Sequence, residues 1–335
     1  MVDWRSQRTL DTLIRVMVAL IVAVVAYLGY AYISHRLAVS RSTPAARIIS
    51  NLEAVVRKRP ADPWARIKLA DALVSVGRDR EAVREYQAAL KIQPENASAL
   101  SGLAMVATTG KQWAVAEGYW RKVIDLVEGG EYSGKDQRLE KAYYYMGASQ
   151  LELKRYEDAA RSLQAALRIR RDASDSHYLL ANAFKGMGSM DKYRAELDIT
   201  LAFDVNMPEA NYDMGVLALS ERDRASAAEY FRRSVDNAPG IKKPLDALED
   251  LGPFSVRWTA ARRLEKTDPA EALVEARIAS ALKPRDLAAA KLVASLYERT
   301  GSKDEALVAW QRILSIAPND PDVRAALKRL GGSGG

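Results

Sequence analysis

Residues 304–318 read DEALVAWQRILSIAP. Small Ala306 and large Trp310 stand one helical turn apart, so they share a face. Pro318 closes the segment, because proline lacks the N–H a helix needs and clashes with the preceding turn. Two other stretches have the same form: REAVREYQAALKIQP (80–94) and PAEALVEARIASALKP (269–284). YEDAARSLQAALRIR (156–170) and RASAAEYFRRSVDNAP (224–239) are similar. Pro60 and Pro94 are 34 residues apart, as are Pro284 and Pro318. A fixed period in a chain of 335 residues points to stacked repeats, since a single core rarely grows to that size.

Aligning the segments on that period exposes recurring slots. The last repeat carries Val293-Ala294, Tyr297, Gly301, Ala306, Trp310 and Pro318. The first carries Leu69-Ala70, Leu73, Gly77, Ala82, Tyr86, Ala89 and Pro94, and the second Leu103-Ala104, Gly110 at the turn, Ala116 and Trp120. Met146-Gly147 with Ala159 and Leu163, Leu180-Ala181 with Gly188 and Leu197, and Met214-Gly215 with Ala227 and Phe231 mark the third to fifth. The fourth has Tyr193 in the small slot, and the sixth is clear only in its second helix, with Ala272, Ala276, Ala279 and Pro284. Small residues let two helices cross closely while large ones fill the space between neighbours.

These slots resemble the tetratricopeptide repeat family, whose unit is a helix–turn–helix of 34 residues. The resemblance implies an α-solenoid of about seven such repeats; the chain is expected to be all-α, with an N-terminal transmembrane helix ahead of the solenoid. Repeats 1–2 fall at 63–128, repeats 3–5 at 140–239 and repeats 6–7 at 253–320. Residues 43–60 read as a half-repeat capping helix and 321–330 as a polar C-terminal cap, which the last apolar face of a stack needs. The period breaks at 129–139 and 240–252, both expected to be insertions of surface loop, and 331–335 is a flexible tail.

Val16 to Ser34 is an uncharged run of 19 residues. As a helix it would be about 28 Å long, close to the thickness of bilayer hydrocarbon. Tyr27, Tyr30 and Tyr32 crowd one end, where amphipathic rings favour the headgroup zone. A single membrane span is expected, preceded by a basic head at 1–15; a cleaved leader ending near Ala38–Ser40 is the alternative. Arg5, Arg8 and Arg15 before the span are matched by Arg36, Arg41 and Arg47 after it. A short basic head ahead of a first span ordinarily stays in the cytosol, which puts the repeats outside the cytosol. Ala19 and Ala23 form a small-xxx-small pair of the kind that packs two spans, pointing to a homo-oligomer.

The chain has no cysteine, so thiolate chemistry and disulfides within it are excluded. Its net charge of +7 is spread over mixed-sign residues with no Lys/Arg block, which argues against nucleic acid and fits proximity to anionic lipid. The two histidines, His35 and His177, lack a partner at metal-ligand spacing, and His177 falls in a core-lining slot. No phosphate-binding glycine loop occurs, and no GxSxG lies outside the flexible tail at 331–335. No cofactor or metal and no catalysis are expected.

The run EKAYYYMGASQL (140–151) sets the candidate site. Tyr143 lines up with Met146 and Gly147 as core, which turns Tyr144 toward the side that in this family lines the concave groove. Tyr178 and Tyr212 follow Tyr144 at steps of 34. Three stacked rings suit a protein or peptide partner, because they give contact area at small entropic cost. Asn182 is placed to hold a peptide amide, and Lys141 and Lys185 to attract an acidic peptide or a terminal carboxylate. The expected function is a membrane-tethered scaffold or adaptor in envelope assembly. The alternative is a chaperone-like subunit presenting client polypeptide to a membrane machine for cytochrome c maturation, pilus or secretin assembly, or polysaccharide export. An enzyme or a nucleic-acid module is the reading from another class.

Overall fold

The computed structural model describes residues 15, 17–31, 43–129 and 136–331. Residues 17–31 form a helix, α1. Among the described residues no helix is long and apolar enough to cross a membrane. Residues 16 and 32–34 of the expected span, the basic head before Arg15 and the tail after Gly331 lie outside them.

The chain divides into two compact units, Met1–Ser133 and Gly134–Gly335. In the first, α2 (Pro44–Lys58) packs on α3 (Pro63–Ser75), which pairs with α4 (Asp79–Ile92). α5 (Ala97–Thr109) pairs with α6 (Trp113–Val127) in the same way. The second unit begins with three hairpins. These are α7 (Gln137–Glu152) with α8 (Tyr156–Ile169), α9 (Ser174–Gly186) with α10 (Met190–Phe203), and α11 (Pro208–Ser220) with α12 (Arg224–Asn237). A short helix, α13 (Lys242–Glu249), follows. Two more hairpins complete it, α14 (Phe254–Leu264) with α15 (Pro269–Leu282) and α16 (Leu287–Thr300) with α17 (Lys303–Ile316), closed by α18 (Pro321–Leu330).

Several helices start where a side chain supplies an acceptor for the orphan N-terminal N–H groups. Asp62, Asp268 and Asp320 each accept from backbone N–H groups two or three residues on, and a proline follows each at the first helical position. α2, α4 and α15 end on a residue outside the helical region: Arg59, Gln93 and Lys283 have φ near −130° (−132°, −132° and −130°), each just before Pro60, Pro94 and Pro284. A residue ahead of proline is kept out of the helical region. Arg170 and Asp204 adopt the same φ (−130° and −137°) with no proline after them, so the stack imposes the stop and proline reinforces it.

Each hairpin is held at its crossing. Ala82, Ala116, Ala159, Ala227, Ala272 and Ala306 have no exposed surface. A Cβ on Gly147 would stand 2.7 Å from Leu163 Cγ, and one on Gly215 2.5 Å from Phe231 Cε1, so only glycine allows those rings and branches to lie across the first helix. A polar tie recurs twelve residues apart: Trp120 Nε1 donates to Thr108 Oγ1 (3.1 Å), Ser162 Oγ to Gln150 Oε1 (2.7 Å) and Trp310 Nε1 to Glu298 Oε1 (2.7 Å).

Four details differ from the reading of the sequence. The left-handed turn residue of the second repeat is Lys111 (φ 56°), one position after Gly110, whose φ is −77°. Tyr143 is half-buried; fully buried Ala142 takes the deep position beside Met146 and Gly147. His177 is likewise half-buried, bridging α9 to α10 through Glu196 (2.7 Å). Segment 240–252, expected to be a surface loop, contains α13, whose Leu248, with Leu251 beyond it, packs against Phe231 and Ile278. α12 consequently packs against α13 and α15. The other insertion, 129–139, lies outside the described residues over 130–135.

Candidate functional site

α7, α9 and α11 are the first helices of three consecutive hairpins, and α7 packs directly on α9. Tyr144, Tyr178 and Tyr212 each sit three residues before the close-crossing position held by Gly147, Ala181 and Gly215. That common position leaves all three rings half-buried against the core of their own hairpins. Their surroundings differ. Tyr144 meets Tyr145 edge to face at 5.0 Å. Tyr178 donates its hydroxyl hydrogen to Asp213 Oδ2 at 3.1 Å. Tyr212 lies against Phe231 at 5.7 Å, and Lys243 Nζ stands 4.5 Å from its centroid, a cation over a π face.

Asp213 is the hub of this surface. It is 7% exposed, and besides Tyr178 it accepts from Lys185 Nζ at 3.1 Å. Lys185 also donates to the Tyr193 hydroxyl at 3.1 Å. The structure thus brings Tyr178, Lys185, Asp213 and Tyr193 into one network linking α9, α10 and α11, and Lys185 is already paired. Asn182 lies one turn from Tyr178 and hydrogen-bonds its hydroxyl. Lys141 is exposed, with Nζ 5.9 Å from the Tyr145 ring.

Burial pushes the Tyr144 phenol up to about 12, with the Asp175 charge adding to it. Burial also raises Tyr178, helped by Asp213 and opposed by the Asn182 hydrogen bond. Both phenols are therefore neutral donors at ordinary pH. One turn further along the same helices, Asn182 is followed after 34 residues by Val216, and Lys185 by Leu219; Val216 and Leu219 are exposed. The arrangement offers ring faces, an apolar strip on α11 and a Tyr178 hydroxyl fixed in direction by Asp213.

Sequence reading missed Asp213, Tyr193 and Lys243. Asp213 stands next to Tyr212, in a slot where the preceding repeats carry Leu179 and Tyr145, so a search for like residues at like slots passes over it. Lys243 belongs to α13, in the segment expected to be loop.

Tetratricopeptide repeat models match residues 45–106, 141–169 and 259–321. The chain therefore contains tetratricopeptide repeats, and its fold class is the all-α helical-hairpin solenoid. No curated protein matches the sequence. Among solved structures, YrrB, described as a TPR protein with an unusual peptide-binding site, is 20% identical. The match covers 58% of this chain and 96% of that one, with a TM-score of 0.48. MamA is 21% identical over 50% of this chain and 94% of that one, with a TM-score of 0.45. PilF of Pseudomonas aeruginosa is 17% identical over 80% and 97%, also with a TM-score of 0.45.

Proposed function

We propose that this protein is a non-catalytic scaffold that holds a protein or peptide partner on the tyrosine-lined face of α7, α9 and α11, close to a membrane. The observation that carries this is the placement of Tyr144, Tyr178 and Tyr212 at one slot of three consecutive hairpins, half-buried and partly exposed. Rings so fixed lose little freedom on binding, and a partner lying across them meets a regular series of apolar faces. With Lys185 paired to Asp213, ring contact and the Tyr178, Asn182 and Asp213 hydrogen-bonding groups, more than a free lysine, set the affinity. The tether would be α1 with its flanks: residues 17–30 are all exposed, including Val22, Val24 and Val25, and the uncharged run continues on both sides. Tethering raises the local concentration of the tyrosine face at the bilayer, strengthening modest contacts without new ones. Such a scaffold suits assembly of an envelope complex, with the repeats outside the cytosol.

The test is crosslinking in intact membranes followed by mass spectrometry, comparing the natural chain with Tyr144, Tyr178 and Tyr212 all changed to Ala. Partner recovery is expected to fall by about tenfold or more; recovery unchanged would overturn the site. A topology reporter fused after Leu330 is expected to be active only outside the cytosol.

A further inference from the structure

A second surface lies on the other set of helices. The second helices of the hairpins, α12, α15 and α17, together with α16 enclose a cleft of about 520 Å³. Its lining is amphipathic. Pro284, Val293 and Ile313 contribute apolar surface, and Val308 and Ile316 present side chains that are 64% and 51% exposed. Helix α17 gives the cleft an electrical direction. Asp304 and Glu305 stand in its first turn, Val308 a turn later, and Arg312 and Ile316 beyond, all on the face that lines the cleft. Among the described residues no ion pair or side-chain hydrogen bond engages Asp304, Glu305 or Arg312. Other cleft charges are engaged, Arg277 with Glu229 at 2.7 Å and Arg233 over the Tyr230 ring at 5.7 Å. An exposed apolar pair flanked by charges of opposite sign is complementary to a partner with the reverse order of charge.

We infer that this cleft docks an amphipathic helix of a protein partner, lying antiparallel to α17. Helices favour acidic residues in the first turn and basic residues in the last. Laid antiparallel, such a helix sets its acidic start against Arg312 and its basic end against Asp304 and Glu305, with its apolar stripe over Val308 and Ile316. Laid parallel, it meets like charge at both ends. The site is separate from the tyrosine face, so the protein would bridge two partners.

The probe is a synthetic 14-residue amphipathic helix, the length of α17, with an acidic first turn and a basic last turn. Its control has the same composition with the end charges exchanged. Binding is read by fluorescence anisotropy on the full chain. The first peptide is expected to bind about tenfold tighter than the control. Arg312→Glu should abolish that preference and Val308→Asp should remove binding of both, with circular dichroism confirming that each variant is folded. Equal affinity for the two peptides, or binding insensitive to Val308→Asp, would overturn the proposal. Self-association of the chain that Val308→Asp abolishes, without peptide binding, would make a second copy the occupant and also overturn it. Changing Tyr144, Tyr178 and Tyr212 to Ala should leave the affinity unchanged; loss of binding would place the peptide on the tyrosine face instead.

Discussion

Lys111, Lys154 and Arg222 hold φ at 56°, 58° and 67° in the hairpin turns where Gly77, Gly188 and Gly301 stand in other repeats. A side chain in that left-handed region costs on the order of 1–2 kcal/mol, while glycine enters it freely. Lys154→Gly and Arg222→Gly are therefore each expected to raise stability by about 0.5–1 kcal/mol in urea unfolding, and Gly188→Ala to lower it by about 1 kcal/mol. Of these turn positions the sequence displays only the glycines; at the second repeat Gly110 draws attention one position too early. At the same scale, Tyr144 is a neutral acid whose folded pKa is raised to about 12. Its contribution to stability is complete below the ordinary phenol range and is lost as pH climbs from about 10 through about 12. Alkaline absorbance titration should show a late phenol that disappears in Tyr144→Phe. The ring's periodic place was legible from steps of 34; the field of Asp175 was not, because it comes from the neighbouring repeat.

At the scale of elements, α13 shows what pattern reading cannot supply. Eight residues are too few for helical periodicity to stand out, and GIKKP reads as turn chemistry. Packing decides it: Leu248 and Leu251 are buried in one cluster with Phe231 and Ile278. Leu248→Ala is expected to cost about 2–4 kcal/mol, whereas a passive loop would tolerate it with almost no change. Gly215→Ala should cost about 1–2 kcal/mol despite alanine's better helix propensity, because its methyl would collide with the Phe231 ring. Both are measurable by chemical denaturation.

At the scale of the molecule, each unit is a line of hairpins, so no single core exists and the last hairpin needs a cover. α18 supplies it by burying Val323, Ala326 and Leu327 against the face that contains Trp310 and Ile313. Truncation after Pro318 exposes that face; lower thermal stability and increased light scattering are expected, together with a loss of order concentrated in α16 and α17.

The sequence by itself determined the repeat and its length. These follow from local rules: glycine and alanine where helices must cross closely, proline and aspartate at helix ends, and one apolar face per helix. Tertiary structure alone decided which polar groups remain free. Asp213 takes Lys185 and the Tyr178 hydroxyl, while Asp304, Glu305 and Arg312 have no ion-pair partner among the described residues around an amphipathic cleft. The physical reason is that a charge's partner lies across helices tens of residues apart. A periodicity shows which slots repeat, but only folding shows which of them meet.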